Sequence, residues 1–215
     1  MTFITSERPS TDRSRAERKE RTRRKLLDSA LTLVGERGFA ALSLRELTRE
    51  VGITPAAFYR HFANLDQLGL VLVEESFGAL GSMLREARAE QTPPEHLIEA
   101  SIDVLVRHVD AQRDHFRFLA RELAGGDSTL RPSIRKELQL FRSELAVDLA
   151  RLPFVREWPT DDLYVLADLI VKTMVSTVQD LLDVPADKPE EKRLVATRAR
   201  KQLTLVVLGV PHWRP

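Results

Sequence analysis

Apolar residues recur at spacings of three and four along nearly the whole chain. Near the start, for example, Leu26, Ala30 and Val34 fall on one face of a helix. No clear run of alternating Val, Ile or Thr bounded by hairpin turns is found, and such runs are the pattern of half-buried strands. The sequence therefore predicts an all-α fold.

Glycine, proline and capping residues divide this pattern into nine predicted helices. Residues 1–12 are polar and contain Pro9, so we expect a disordered tail there. Three helices, two of them short, occupy residues 13–63 and form a small head. Six longer helices fill residues 64–215 and form the body.

The charge of the chain is unevenly distributed. Its net value is only +1, but residues 1–70 carry 13 basic and 9 acidic side chains, so the rest of the chain is mildly acidic. Between residues 13 and 25, eight basic residues face only Glu17 and Glu20. A basic head on an acidic body indicates an anionic partner for the head, although a solvated N-terminal tail gives the same composition.

Residues 42–62, LSLRELTREVGITPAAFYRHF, predict two short helices joined by a tight turn. Ser43 and Glu46 form a capping box, Gly52 permits a left-handed turn residue, and Thr54 caps the next helix. Two helices joined in this way form a helix-turn-helix, whose second helix fits a major groove about 12 Å wide. A capped helical hairpin without a ligand has the same local pattern.

The second of these helices has two distinct faces. Phe58 and Phe62 are four residues apart and are predicted to anchor it to the head. Ala56, Tyr59 and Arg60 lie on the other side, where a small residue lets the backbone approach DNA and the larger ones reach phosphates or a guanine edge. Four further side chains are predicted to help contact DNA: Ser43 and Thr54 through their hydroxyls, Arg45 at the groove, and His61 at a phosphate.

Residues 39–69 resemble the DNA-binding signature of the TetR family of regulators, most clearly in FYRHF at 58–62 and NLDQL at 64–68. The resemblance implies a DNA-binding head, a fourth helix that links it to a ligand-binding body, and a homodimer built by the last two helices. It also implies double-stranded operator DNA as the partner. Carried over by position, it implies phosphate contacts for Ser43 and Tyr59, a base contact for Arg45, and groove-facing or phosphate positions for Pro55, Ala56, Ala57 and His61.

One position departs from this pattern. Thr48 stands where helix-turn-helix units usually place alanine against the turn. The larger side chain is expected to alter the angle between the two helices slightly.

A narrower resemblance links the chain to the FabR/DesT-like subgroup, on residues 18–23, 66–70, 116–122 and 212–214. It implies a repressor of unsaturated fatty acid synthesis genes that senses long-chain acyl-CoA. The alternatives are a TetR-type repressor of an efflux or catabolic pathway with a different apolar ligand, and an architectural DNA-binding protein. The acidic body argues against the last of these, because architectural proteins are usually basic throughout.

An acyl ligand needs an apolar tunnel in the body. The predicted walls are Phe77, Leu105, Val109, Phe116, Leu119, Leu138, Phe141, Ile170 and Met174, any of which an ordinary helical core would also need. Arg117 and Arg121 are four residues apart and are predicted to bind the CoA phosphates at the tunnel mouth, although solvated surface residues would look the same.

The sequence argues against an enzyme. The chain has no cysteine, and we find no glycine-rich phosphate loop and no nucleophile–base set. His108, Asp110, Asp114 and His115 cluster, but they straddle a predicted helix break and lack metal-ligand spacing. We therefore expect no catalytic residues, no metal and no cofactor other than the effector. No apolar run approaches the roughly 20 residues of a membrane span, so a cytoplasmic protein is expected.

Overall fold

The computed structural model describes residues 10–89, 96–125 and 129–213. These residues form nine α-helices and no strand, which confirms the predicted all-α fold. The described residues also include the short 3-10 helices Phe39–Ala41 and Val210–His212. The helices are α1 Ser10–Arg37, α2 Leu44–Val51, α3 Pro55–Phe58, α4 Leu65–Ala89, α5 Leu97–Ala111, α6 Arg113–Ala124, α7 Arg131–Leu149, α8 Thr160–Asp183 and α9 Pro189–Gly209.

The first helix begins earlier than predicted. Residues 10–12 were expected in the disordered tail, but they form the first turn of α1. No proline or glycine lies between residues 10 and 34, so the helix can begin directly after Pro9. Residues 1–9 of the predicted tail lie outside the described residues.

The head has a hydrophobic core that continues into the body. Leu26, Leu47 and Phe58, from α1, α2 and α3, are fully buried in it. Leu72 of α4 and Phe118 of α6 belong to the same cluster of buried residues. The boundary predicted between residues 63 and 64 stays a prediction, and the packing of the head continues across it into the body.

Polar contacts also fasten the head to the body. Glu122 of α6 is almost completely buried, and its Oε1 accepts a hydrogen bond from the backbone N–H of Phe39 at 2.8 Å. Arg24 of α1 donates to the Glu75 carboxylate of α4 at 3.0 Å. The turn after α1 is thus held directly by a side chain of α6.

Gly69 of α4 lies where the head and body are in close contact. A Cβ atom at this position would lie 2.7 Å from two ring atoms of Phe39 and 2.9 Å from a methyl carbon of Leu130. Both neighbouring side chains are buried, so neither can move away into solvent. Gly78 of the same helix has no such neighbour within 4 Å.

We expect Gly69→Ala to lower the free energy of unfolding by up to about 2 kcal/mol. Overpacking a well-packed core costs about 1–3 kcal/mol, which the better helix propensity of alanine offsets by about 1 kcal/mol. Gly78→Ala is the matched control, and we expect it to be neutral or stabilising by up to about 1 kcal/mol. Urea unfolding of the two variants measures this, and equal stabilities would contradict the packing at Gly69.

The body is built around α8, which packs against α7 on one side and α9 on the other. Arg113 at the start of α6 donates to the carbonyl oxygens of Leu182 and Val184, at 2.6 and 2.8 Å. Those carbonyls belong to the end of α8, where helix carbonyls lack intrahelical partners. Across the described ranges, no helix combines the length and apolar character that a bilayer crossing requires.

Candidate nucleic-acid interface and apolar cavity

Ser43 caps the start of α2 as predicted, but in the described residues Glu46 does not complete the predicted capping box. The Ser43 Oγ accepts a hydrogen bond from the backbone N–H of Glu46 at 3.2 Å, and Ser43 has extended backbone angles. The Glu46 carboxylate accepts a hydrogen bond from Arg37 at 2.7 Å. Glu46 therefore ties α2 to the end of α1.

The turn between α2 and α3 depends on Gly52. Its φ of 74° lies in the left-handed region, which a residue with a Cβ atom adopts only at a cost. Ile53 then donates its N–H to the Thr48 carbonyl at 2.9 Å, which closes the turn. Thr54 caps α3 by accepting from the Ala57 N–H at 3.3 Å, as predicted.

Thr48 fits against this turn although alanine is usual there. The side chain is buried, and its Oγ1 donates to the Leu44 carbonyl at 2.8 Å within α2. The hydroxyl is therefore satisfied by its own helix, so the burial leaves no polar group without a partner.

The recognition segment, residues 55–62 of the predicted helix-turn-helix, is α-helical over a shorter range than predicted. α3 ends at Phe58, and hydrogen-bonded turns carry the chain on to Phe62, whose N–H donates to the Phe58 carbonyl at 3.1 Å. The Phe58 and Phe62 rings are buried with their centroids 5.7 Å apart. The Arg23 guanidinium of α1 lies 4.6 Å from the centroid of the Phe62 ring. The predicted anchoring of this segment by two phenylalanines is confirmed.

The predicted DNA-contacting side chains lie mostly on the surface. Tyr59 is 59% exposed, although it is an aromatic residue, and its ring meets the edge of Phe58 in a T-shaped contact. Ala57 is half-buried at the edge of the segment. An exposed tyrosine beside cations is the arrangement expected of a phosphate-binding surface. The other exposed members of the set are Ser43, Arg45, Thr54, Pro55, Ala56 and Arg60.

His61 is the exception within this set. Its ring is half-buried, and its Nδ1 is enclosed without a hydrogen-bond partner in the described structure. Burial lowers the pKa of His61, and the nearby positive charges of Lys19 and Arg23 lower it further. The imidazole is therefore neutral at neutral pH and would add no positive charge to a phosphate contact. The contact between His61 and a DNA phosphate stays a prediction.

A cavity of about 250 Å³ lies inside the body, between α4 and the end of α9. Ser101 is the one polar residue among the described side chains that line it. Eight of the predicted tunnel residues line the cavity: Phe77, Leu105, Phe116, Leu119, Leu138, Phe141, Ile170 and Met174. Sequence analysis missed the α5 residues Leu97 and Ile98 and the α9 residue Leu203, which also line it.

Three predicted ligand-binding residues lie elsewhere, which corrects the prediction. Val109 is buried in the cluster between α5 and α9, outside the cavity wall. Arg117 donates to Asp114 at 3.2 Å, and Arg121 lies beside Gly38 at the end of α1. The face of α6 that carries both arginines packs towards α1, so it is turned away from the cavity wall that Phe116 and Leu119 form on the same helix.

The cavity reaches the surface at the connection between α7 and α8. Phe154 and Val207 both line it, yet they are 49% and 40% exposed. Arg151 and Arg156 flank Phe154 along the chain and are exposed. Two cationic side chains therefore lie close in sequence to a residue at this opening.

The histidine and carboxylate cluster of residues 108–115 takes part in structural contacts. The His115 Nδ1 lies 2.9 Å from the Oγ of Ser76, which is buried in α4. Asp110 accepts from the Lys192 Nζ at 2.6 Å. No group of three or more such side chains in the described ranges is arranged to hold a metal ion.

Sequence comparison with known families matches two parts of the chain. Residues 26–70 match the family described as bacterial regulatory proteins, tetR family. Residues 94–206 match the family described as tetracyclin repressor-like, C-terminal domain. Together the two matches cover the helix-turn-helix and most of the body.

Solved structures with the same fold include three regulators. The first is FadR from Bacillus subtilis in complex with stearoyl-CoA, at 16% identity and a TM-score of 0.65, covering 86% of this chain and 97% of that one. AibR in complex with isovaleryl coenzyme A and operator DNA has 17% sequence identity and a TM-score of 0.63, and the match covers 88% of this chain and 98% of that one. A TetR-family regulator from Streptomyces coelicolor has 17% sequence identity and a TM-score of 0.67, and the match covers 88% of this chain and 96% of that one.

Proposed function

The chain belongs to the TetR family of bacterial regulatory proteins, and we propose that it is a cytoplasmic repressor that binds operator DNA as a homodimer and senses the acyl chain of long-chain acyl-CoA. Its regulated genes would be those of unsaturated fatty acid biosynthesis, as the resemblance to the FabR/DesT-like subgroup implies. The observation that carries the proposal is the apolar cavity in the body.

The length and lining of the cavity suit an acyl chain. Its α8 wall runs from Leu166 to Val178, about 18 Å of helix at 1.5 Å per residue, close to the roughly 20 Å of a long acyl chain. Ser101 is the one polar group in the described wall, so a ligand inside finds few hydrogen-bond partners. FadR from Bacillus subtilis, which shares this fold, was solved with stearoyl-CoA.

The CoA portion would leave the cavity at Phe154 and Val207, where the wall meets the surface. Phosphates favour cationic partners, and Arg151 and Arg156 flank this opening in the sequence. Each is highly exposed and pairs only with a surface carboxylate, at 3.5 Å in both cases. Such exposed pairs are weak and a phosphate can displace them.

The helix α6 is in contact with both the cavity and the head. On one side of α6, Phe116 and Leu119 line the cavity. On the other side, Glu122 accepts the hydrogen bond of the Phe39 N–H in the turn after α1. A ligand that displaces α6 would therefore change the support of the head, which is a physical route for coupling ligand binding to operator binding.

The outer faces of α8 and α9 support the proposed homodimer. On α9, Leu194, Leu205 and Leu208 are exposed, at spacings that form the seam of a coiled coil together with Arg198 and Lys201. On α8, Val165 and Leu169 are exposed in the same way. Large apolar side chains arranged in a stripe mark an interaction surface, and a symmetric dimer would bury both stripes.

Titration with acyl-CoA tests the proposed effector. The probes are palmitoyl-CoA, an unsaturated acyl-CoA of similar length, and free CoA, added to the protein bound to a duplex that it selects from a random-sequence library. We expect both thioesters to change operator affinity by about 5- to 150-fold, the range of typical couplings. The unsaturated one should strengthen binding, the saturated one should weaken it, and free CoA should have no effect. No change with either thioester would contradict an acyl-CoA effector and favour a different apolar ligand.

We expect Met174→Trp to weaken acyl-CoA binding at least tenfold and to leave operator binding intact. Met174 lines the cavity on α8, and the larger indole would occupy the space of the acyl chain. Leu140→Trp on the outer face of α7 is the matched control, because Leu140 is exposed and lies outside the cavity wall. Calorimetric titration with palmitoyl-CoA measures both, and equal affinities would place the acyl chain elsewhere.

A further inference from the structure

One polar side chain faces the apolar cavity of the body. Ser101 of α5 is half-buried, and it is the one polar residue among the described side chains that line the cavity. Ile98 and Leu105 lie one turn before and one turn after it on the same helix, and both also line the cavity. Ser101 therefore lies in the middle of the face that α5 presents to the cavity.

The hydroxyl of Ser101 can bind a group inside the cavity. Within a helix, a serine hydroxyl often donates to the backbone carbonyl four residues earlier. Ser76 of α4 and Ser143 of α7 do so, at 2.7 and 3.1 Å. Among the described residues, by contrast, the Ser101 hydroxyl has no hydrogen-bond partner. A plain hydrocarbon chain would enclose this hydroxyl and gain no hydrogen bond from it, whereas a chain with an oxygen atom at this point would gain one.

Ser101 lies far along the cavity from the opening at Phe154. Val155, the next residue, belongs to the same cluster of buried side chains as Leu166, near the start of α8. The α5 residues on either side of Ser101 instead belong to the cluster against which Val178 packs, near the end of α8. Along that helix, Leu166 and Val178 are about 18 Å apart. With the CoA portion at the opening, Ser101 therefore meets the distal half of the acyl chain.

We propose that Ser101 selects acyl chains that carry an oxygen atom, as a hydroxyl or oxo group, in their distal half. The Ser101 hydroxyl donates a hydrogen bond to that oxygen, and the rest of the described wall is apolar. A site that offers a hydrogen bond discriminates against the analogue that lacks the partner group. The inference rests on the proposed acyl-CoA binding and deepens it, because it names the class of acyl chain that binds most tightly.

Three thioesters of one chain length test the inference. The hydroxyl of 12-hydroxystearoyl-CoA lies two-thirds of the way along the chain, that of 3-hydroxystearoyl-CoA lies beside the thioester, and stearoyl-CoA has none. In calorimetric titration of the wild type, we expect the 12-hydroxy chain to bind about 2- to 12-fold more tightly than the stearoyl chain, the factor that one net hydrogen bond gives. The 3-hydroxy chain should bind like the stearoyl chain.

The variant Ser101→Ala should remove this preference by weakening the binding of the 12-hydroxy chain alone, so that the two affinities become equal. Ser101→Thr keeps a hydroxyl at this position and should keep the preference. Ser143→Ala is the matched control, because Ser143 is an exposed helical serine outside the cavity wall. Its preference should equal that of the wild type.

A wild type that binds the 12-hydroxy and stearoyl chains equally would overturn the inference, and so would a preference that persists in Ser101→Ala. A preference for a cis-unsaturated chain that Ser101→Ala removes, without one for the 12-hydroxy chain, would overturn it in favour of a contact with a double bond. A wild type that binds none of the thioesters would instead contradict the proposed function.

Discussion

The double variant Arg45→Ala, Tyr59→Ala is expected to lose specific operator binding while it keeps its fold and its dimer. Base and phosphate contacts of this kind are each worth about 1–3 kcal/mol, a factor of about 5 to 150. Because a dimer presents each residue twice, the combined loss should be about 600-fold or more and leave only salt-sensitive, non-specific binding. Titration of the selected duplex, followed by fluorescence anisotropy, measures this loss.

Neither side chain contributes much to the stability of the fold, so a loss of operator binding in the variant can be attributed to the lost DNA contacts. Arg45 is exposed on α2, and Tyr59 contacts the buried Phe58 only at its ring edge. Arg49→Ala is the matched control, since Arg49 is exposed on the same helix as Arg45 and is not among the predicted contacts. Tyr59→Phe separates the hydroxyl from the ring and should lose only part of the affinity. Full operator affinity in the double variant would disprove the assignment of the whole head.

The variant Leu205→Asp, Leu208→Asp is expected to convert the dimer into monomers. Leu205 and Leu208 are 70% and 62% exposed in the single chain, so the substitutions do not disturb its core. In a symmetric dimer, both substitutions occur twice at one interface and would bury four carboxylates near each other, which costs several kcal/mol. We therefore expect the dissociation constant of the dimer to rise more than a thousandfold, measured by sedimentation at micromolar concentration.

The variant Leu140→Asp, Val147→Asp distinguishes the proposed interface from another. Both residues are exposed apolar side chains on the outer face of α7. This pair should remain dimeric, because the proposed interface uses α8 and α9. If it dissociates while the α9 variant remains a dimer, the subunits associate through α7. The α9 monomer should also bind its operator weakly, because a single head contacts one half-site.

Much of the head could be predicted from local sequence rules. Ser43, Gly52 and Thr54 determine where α2 and α3 begin and end, because capping and left-handed turns depend on one residue and its immediate neighbours. The outward position of Tyr59 follows from Phe58 and Phe62 being buried on the other face. The length of α3 could not be predicted from these rules, because the same capping residues can begin either a short helix or a series of hydrogen-bonded turns.

The cavity was predictable only in part. Helical spacing identified Phe116 and Leu119 as buried, but the same spacing applies to Val109, which packs in an ordinary core. Arg117 and Arg121 lie on the face of α6 that the sequence pattern predicts to be polar. An arginine pair on such a face can bind a phosphate or pack against a neighbouring helix. The packing of α6 against α1 decides between these, and it places that face against Gly35 and Gly38.

The amino-acid sequence by itself determined the helical fold, the helix-turn-helix and the two faces of its recognition segment, because periodicity, caps and turns act over a few residues. Tertiary structure alone decided which buried side chains line the cavity. It also decided that Glu122 accepts a hydrogen bond from the Phe39 N–H, and that position 69 has room only for glycine. Those features depend on the distance between residues far apart in the chain. That distance is set by the packing of whole helices, which no local pattern contains.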